Sequence, residues 1–129
     1  MIYDWRKLKL KSCDQILCSG TGSLSKKIIW FNKLTGIKGM AAEISHVAMI
    51  YSYLADWVFE STTLNKFANK KGVQMNKMGD WIKNYKGRVW VRKLDFERTP
   101  DFGCLYDKFI ADFLGKPYES GIPGYLSLF

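Results

Sequence analysis

The sequence holds one histidine, three cysteines, three prolines and, against sixteen lysines, only four arginines. Each scarcity excludes something. One imidazole and no CxxC spacing leave too few ligands for a structural zinc site. Cys13, Cys18 and Cys104 are odd in number, which argues against a disulfide framework; a small buried apolar residue is the ordinary reading of Cys13 and Cys18. No cofactor is expected. No apolar stretch approaches the roughly 18 residues of a transmembrane helix. The N-terminus, Met1-Ile2-Tyr3-Asp4-Trp5-Arg6-Lys7-Leu8-Lys9, is mixed and charged and lacks the apolar core of a secretory signal, so a cytoplasmic location is the expectation. The lysines are scattered, with Lys26-Lys27 and Lys70-Lys71 the adjacent pairs, and form no arginine stripe or stacked-aromatic platform. Nucleic acid is therefore the least favoured partner.

What is present is a hydrophobic fraction of 47% with five tryptophans over 129 residues, enough for one domain, 1–129, with a real core. The net charge of +8 favours anionic partners at long range, an anionic polymer or a membrane surface, although most of it reads as a solvated face.

Patterning gives the elements. Residues 2–9 suit a short lead-in helix, and Asp14 to Ser19 a first strand closed by Gly20-Thr21-Gly22. Ser23 is placed to cap a helix in which Leu24, Ile28, Phe31 and Leu34 recur at helical spacing through Thr35. Ile44–Tyr53 is the strongest strand and Trp57–Thr62 the next, together a hairpin. Period-two alternation puts His46, Ala48 and Ile50 on one face and gives Val58 and Glu60 a shared face on the partner strand. Thr63 to Lys71 is polar and lysine-rich and reads as an exposed loop, followed by a short strand over Gly72–Met75. Asp80-Trp81-Ile82 belongs to a short helix that Gly87 ends, and Arg88–Leu94 alternates as a strand. Thr99 or Asp101 caps a final helix lined by Phe102, Leu105, Tyr106, Phe109, Ile110, Phe113 and Leu114, which Gly115 and Pro117 stop. Beyond it runs a tail, Tyr118 to Phe129, with an apolar end that suits docking. Strands in a meander flanked by helices make an α+β fold rather than an alternating β-α-β series.

The chemistry-bearing residues are few. A lone histidine on an apolar strand is most often a hydrogen-bonded core residue, but a glutamate on the neighbouring apolar strand is costly to bury without a partner, so Glu60 either lies at a strand edge or faces His46, the favoured reading. Cys104 falls in the first turn of the final helix, where a helix N-terminus lowers a thiol pKa, and is the one rival nucleophile in the chain; it equally fits that helix's buried face. Ser45 reads as a local cap or strand residue.

Five segments in order resemble one family. Cys13-Asp14-Gln15-Ile16-Leu17 is similar to its early "GDIL" strand, with Gly22–Ile29 as the following helix; Ser45-His46-Val47-Ala48-Met49-Ile50 to "SHVGI"; Val58-Phe59-Glu60-Ser61 to "VxEA"; Trp81-Ile82 with Val89–Leu94 to "WI" and "V-x-R-L"; and Gly115-Lys116-Pro117-Tyr118-Glu119 to "GKPYD". The family is the circularly permuted NlpC/P60 papain-like cysteine hydrolases, in particular the YiiX/YaeF-like branch. The resemblance covers about residues 12–119. It implies a papain-like antiparallel sheet or small barrel packed with helices, with His46 as general base and Glu60 as the acid that orients it; Tyr118 matches a family tyrosine that lines the site, and a tyrosine after Lys-Pro equally suits packing. Implied substrates are amide or ester carbonyls in peptide, cell-wall or lipid molecules. In permuted members the nucleophilic cysteine follows the "GKPYD" element, typically in "CSEL"; here no cysteine follows Cys104, so against the family pattern the domain reads as C-terminally incomplete. Cys13 for glycine, Ala48 for glycine and Glu119 for aspartate are milder departures.

Three functions follow as expectations. The first is a cysteine amidase, peptidase or acyltransferase. The second is a catalytically inactive papain-like pseudoenzyme, serving as a basic binding module in a virus or phage. The least favoured is a nucleic-acid-binding domain unrelated to hydrolases. Dimerisation through the apolar tail would be one way to complete a site.

Overall fold

The computed structural model describes residues 4–65 and 70–117. The elements are β1 (Gln15–Gly20), α1 (Ser23–Leu34), β2 (His46–Tyr53), β3 (Ala55–Asn65), β4 (Lys70–Lys77), α2 (Met78–Asn84), β5 (Gly87–Arg92) and α3 (Pro100–Phe113), with 3-10 turns at Trp5–Leu8 and Gly39–Glu43. The strands form one antiparallel sheet in the order β4-β3-β2-β1-β5, an α+β architecture. Among the described residues β4 and β5 are its two edges, so the sheet is open rather than closed into the alternative small barrel.

Alternation along the strands sorts side chains onto two faces. Ile16 and Cys18 of β1, Ala48 and Ile50 of β2 and Val58 of β3 share one face with Leu10, Met78 and Trp81, packed by Val89 and Val91 from β5. The opposite face gathers Phe59, Met49, Tyr51, Val73 and Met75 under α3. The helix meets it through Tyr106 and Ile110, buried four residues apart, with Phe102 packed alongside. That contact stripe is narrower than the sequence pattern implies. Leu105 lies one residue, about 100°, off Tyr106 and is exposed.

The region read as a lysine-rich loop over 63–71 is instead a hairpin: β3 continues to Asn65 and β4 begins at Lys70, with 66–69 outside the described residues. Further along β4, polar side chains that face inward are satisfied locally. Asn76 donates its side-chain amide to Gln74 Oε1 (2.9 Å), and Gln74 donates to the carbonyls of Lys70 and Gly72. Gly72 takes a φ of +80°, and a Cβ there would collide with the carbonyl of Lys116, which accepts from Val73 N–H at 2.8 Å. β5 stops at Arg92, two residues short of the expected strand. The following turn is held by a buried carboxylate. Asp14 accepts from Leu94 N–H (3.0 Å), Lys11 N–H (2.9 Å) and the Arg98 guanidinium (2.8 Å). Arg98 also donates to the carbonyls of Ser12, Leu94 and Phe96. Thr99, not Asp101, caps α3 by accepting from Phe102 N–H.

Candidate active site

The site begins with strand register. Cys18 of β1 lies opposite His46 at the first residue of β2, and β2 pairs with β3 so that Ile50 faces Val58. Glu60, two residues beyond Val58, therefore projects from the same face as His46. There His46 Nε2 and Glu60 Oε2 lie 2.8 Å apart. The other carboxylate oxygen, Oε1, accepts from Trp81 Nε1–H at 3.0 Å. Glu60 and Trp81 are buried, whereas the His46 side chain keeps 25% of its surface exposed. A carboxylate only accepts, so the neutral imidazole carries its proton on Nε2 and leaves the Nδ1 lone pair available. The arrangement suits a general base whose imidazolium form is stabilised by the carboxylate.

The surroundings fix this pair. Trp81 stacks on Tyr85, ring centroids 4.7 Å apart. Asn32 of α1 donates to the carbonyls of Ala42 and Ile44, which fixes the approach to β2. Ser45 donates its N–H to Cys18 O (2.8 Å), while its hydroxyl accepts from Gly20 N–H (2.9 Å). Ser45 thus ties the end of β1 to the start of β2, the local role expected of it.

Among the described residues no cysteine sulfur is hydrogen-bonded to His46; the Cys18 thiol is directed to the carbonyl of Ile16. Cys18 is its cross-strand neighbour but is fully buried; burial pushes its thiol up to about 12, with a hydrogen bond from Tyr85 opposing and the Glu60 charge adding. Burial also raises the Tyr85 phenol, with Cys18 adding to it. Cys13 packs in the cluster under α3, its thiol raised chiefly by burial. Cys104 is exposed on α3, the helix that covers the face opposite His46, so neither the buried placement nor proximity to the base is found. Tyr118 lies outside the described residues. Among the described residues no three His, Cys, Asp or Glu side chains cluster as metal ligands, and no helix is long and apolar enough to cross a membrane. A cleft of about 340 Å³ lies on the α3 side, bordered by Tyr51, Tyr53, Arg98, Phe102 and Asp107; His46 is not in its wall.

Sequence reasoning names His46 and Glu60 but misses the part Trp81 plays. The available signal was that a buried glutamate needs donors for both oxygens, and an indole N–H serves where cations are absent. Compared with protein-family models, with curated proteins and with solved structures, the chain matches none.

Proposed function

We propose that this domain is a papain-like hydrolase or acyltransferase acting on amide or ester carbonyls, with His46 as general base and Glu60 as its orienting acid. The observation that carries this reading is the His46–Glu60–Trp81 relay: a buried carboxylate held at both oxygens, with a partly exposed imidazole at its end. In the reaction, Nδ1 takes the proton of the attacking group, a hydroxyl or water or a thiol that a second chain would supply, as its oxygen or sulfur bonds to the carbonyl carbon. The imidazolium then returns that proton to the departing amine or alcohol as the carbon–nitrogen or carbon–oxygen bond breaks. Peptide, cell-wall and lipid carbonyls are the substrate classes that the resemblance to permuted NlpC/P60 hydrolases implies.

A second reading is favoured by one observation. Cys18 is sealed and Cys13 and Cys104 belong to the other side of the sheet, which fits a pseudoenzyme that keeps the fold as a basic binding module. The two readings separate in one experiment: assay of the purified chain on activated esters, peptide amides and muropeptides, beside His46→Ala and Cys104→Ser. The hydrolase reading expects turnover that falls about 10²- to 10⁴-fold in His46→Ala and persists in Cys104→Ser. Absence of turnover on every substrate, or a rate indifferent to His46→Ala, overturns it in favour of the binding module.

A further inference from the structure

The outward face of α1 is apolar and points away from the protein. At about 100° per residue, Ser25, Ile28, Ile29 and Asn32 fall on one side, and these four are the half-buried positions of the helix. Trp30, Leu34, Phe31 and Leu24 fall on the other, across an arc of about 120°. Trp30 is 64% and Leu34 65% exposed, and Phe31 and Leu24 are exposed as well. No side chain of α1 is fully buried. The exposed apolar surface continues beyond the helix through Ile37 and Met40.

The charge carried by the helix and its flanking segments is of one sign. From Gln15 to Ala42 there is no aspartate or glutamate, and the charged residues are Lys26, Lys27, Lys33 and Lys38. Lys27 lies within the apolar arc, and Lys26 and Lys33 border one side of it. Lys33 pairs with Glu43 at 3.0 Å, the first acid after the helix. Exposed tryptophan, phenylalanine and leucine with lysines at their margin form the surface of a helix lying in a bilayer interface. The rings and aliphatic chains enter the headgroup–acyl boundary, and the lysine stems reach back to anionic headgroups. A protein partner covering the same face would need acidic groups around an apolar centre. An anionic bilayer supplies both without a shaped pocket, and the net charge of +8 draws the whole chain toward it.

We infer that α1 docks this protein on anionic membrane surfaces, its Trp30–Leu34 face in the interface and its lysines on the headgroups. The inference does not depend on the His46–Glu60 pair. The test is flotation of the full chain with vesicles of equal parts phosphatidylglycerol and phosphatidylcholine, and with phosphatidylcholine alone. The wild type and His46→Ala float with the anionic vesicles and stay behind with the neutral ones, and high salt weakens the binding. Trp30→Ser with Leu34→Ser, at exposed sites and with an unchanged melting curve, loses at least about tenfold in affinity. Should that variant misfold, the wild type supplies the readout: brominated phosphatidylglycerol quenches its tryptophan fluorescence, and Trp30→Phe binds equally but loses most of the quenching. Three results overturn the inference: no flotation at low salt, equal flotation of the folded Trp30→Ser, Leu34→Ser variant, and a dimer broken by that variant in place of vesicle binding.

Discussion

Glu60 holds His46 with one carboxylate oxygen and Trp81 with the other, at 2.8 and 3.0 Å. The two residues lie on adjacent strands, and α2 supplies the indole that completes the carboxylate. Trp81 is accordingly a positioning residue. Its indole N–H reaches His46 only through Glu60.

Two substitutions separate orientation from packing. Glu60→Gln keeps the shape but removes the negative charge that stabilises an imidazolium and turns one of the two acceptor oxygens into a donor; turnover of an ester substrate should fall about 10²-fold or more through kcat, with KM little changed. Trp81→Phe keeps most of the buried ring and removes the donor. Its kcat should fall by less, with KM little changed, because the carboxylate at His46 loses one donor while the imidazole itself is intact.

Thiol reactivity should separate the cysteines sharply. Burial lifts Cys18 to about 12, so the thiolate that reacts with an alkylating agent is scarce at neutral pH, and its sulfur is sealed from solvent. With iodoacetamide at about pH 8, peptide mapping should find Cys104 modified first and Cys18 only after unfolding. His46→Ala should leave the rate at Cys104 unchanged, because the two lie on opposite sides of the sheet.

Alkali should destabilise the fold before any ordinary surface group explains it. The hydrogen bond to Asp107, followed by burial, lifts Tyr51 to about 12, and burial raises Tyr85 and Tyr106. Each phenol keeps its proton longer in the folded chain than in the unfolded one. Their contribution to stability is therefore complete below about pH 10 and is lost as pH rises through the folded values. Denaturant midpoints should fall steadily above that pH. Absorbance titration of the seven tyrosines should resolve a fraction that ionises late or only on unfolding.

The buried Asp14–Arg98 pair ties the start of β1 to the turn before α3. Arg98→Ala leaves a fully buried carboxylate without its cation and should lower the unfolding free energy by about 3 kcal/mol, measured by urea denaturation. Asp14→Ala should cost a similar amount, and the double variant less than the sum, because the two share one interaction.

Much of this was legible in the chain. The alternation in Ile44–Tyr53 and Val58–Glu60 put His46 and Glu60 on faces that the register brings together. The 3.6-residue periodicity and Thr99 placed α3. What the sequence hid were interactions that depend on distant partners. Asn65 and Lys70 look like loop residues until they are seen paired across the β3–β4 hairpin. Asp14 and Arg98, far apart in sequence, reveal their pairing only when β1 and the turn after β5 meet. Cys104 suited a buried helix face by spacing alone, but the contact stripe runs through Phe102, Tyr106 and Ile110 and turns the sulfur to solvent.

Because the chain has a single histidine, one spectrum tests the base directly. Long-range proton–nitrogen correlation on ¹⁵N-labelled protein at a pH where the ring is neutral reports which ring nitrogen holds the proton. The expected result is the Nε2–H form alone in the wild type, with that preference weakened in Glu60→Gln. An Nδ1–H ring, or a wild-type tautomer mixture that Glu60→Gln leaves unchanged, contradicts the assignment of Nδ1 as the catalytic base.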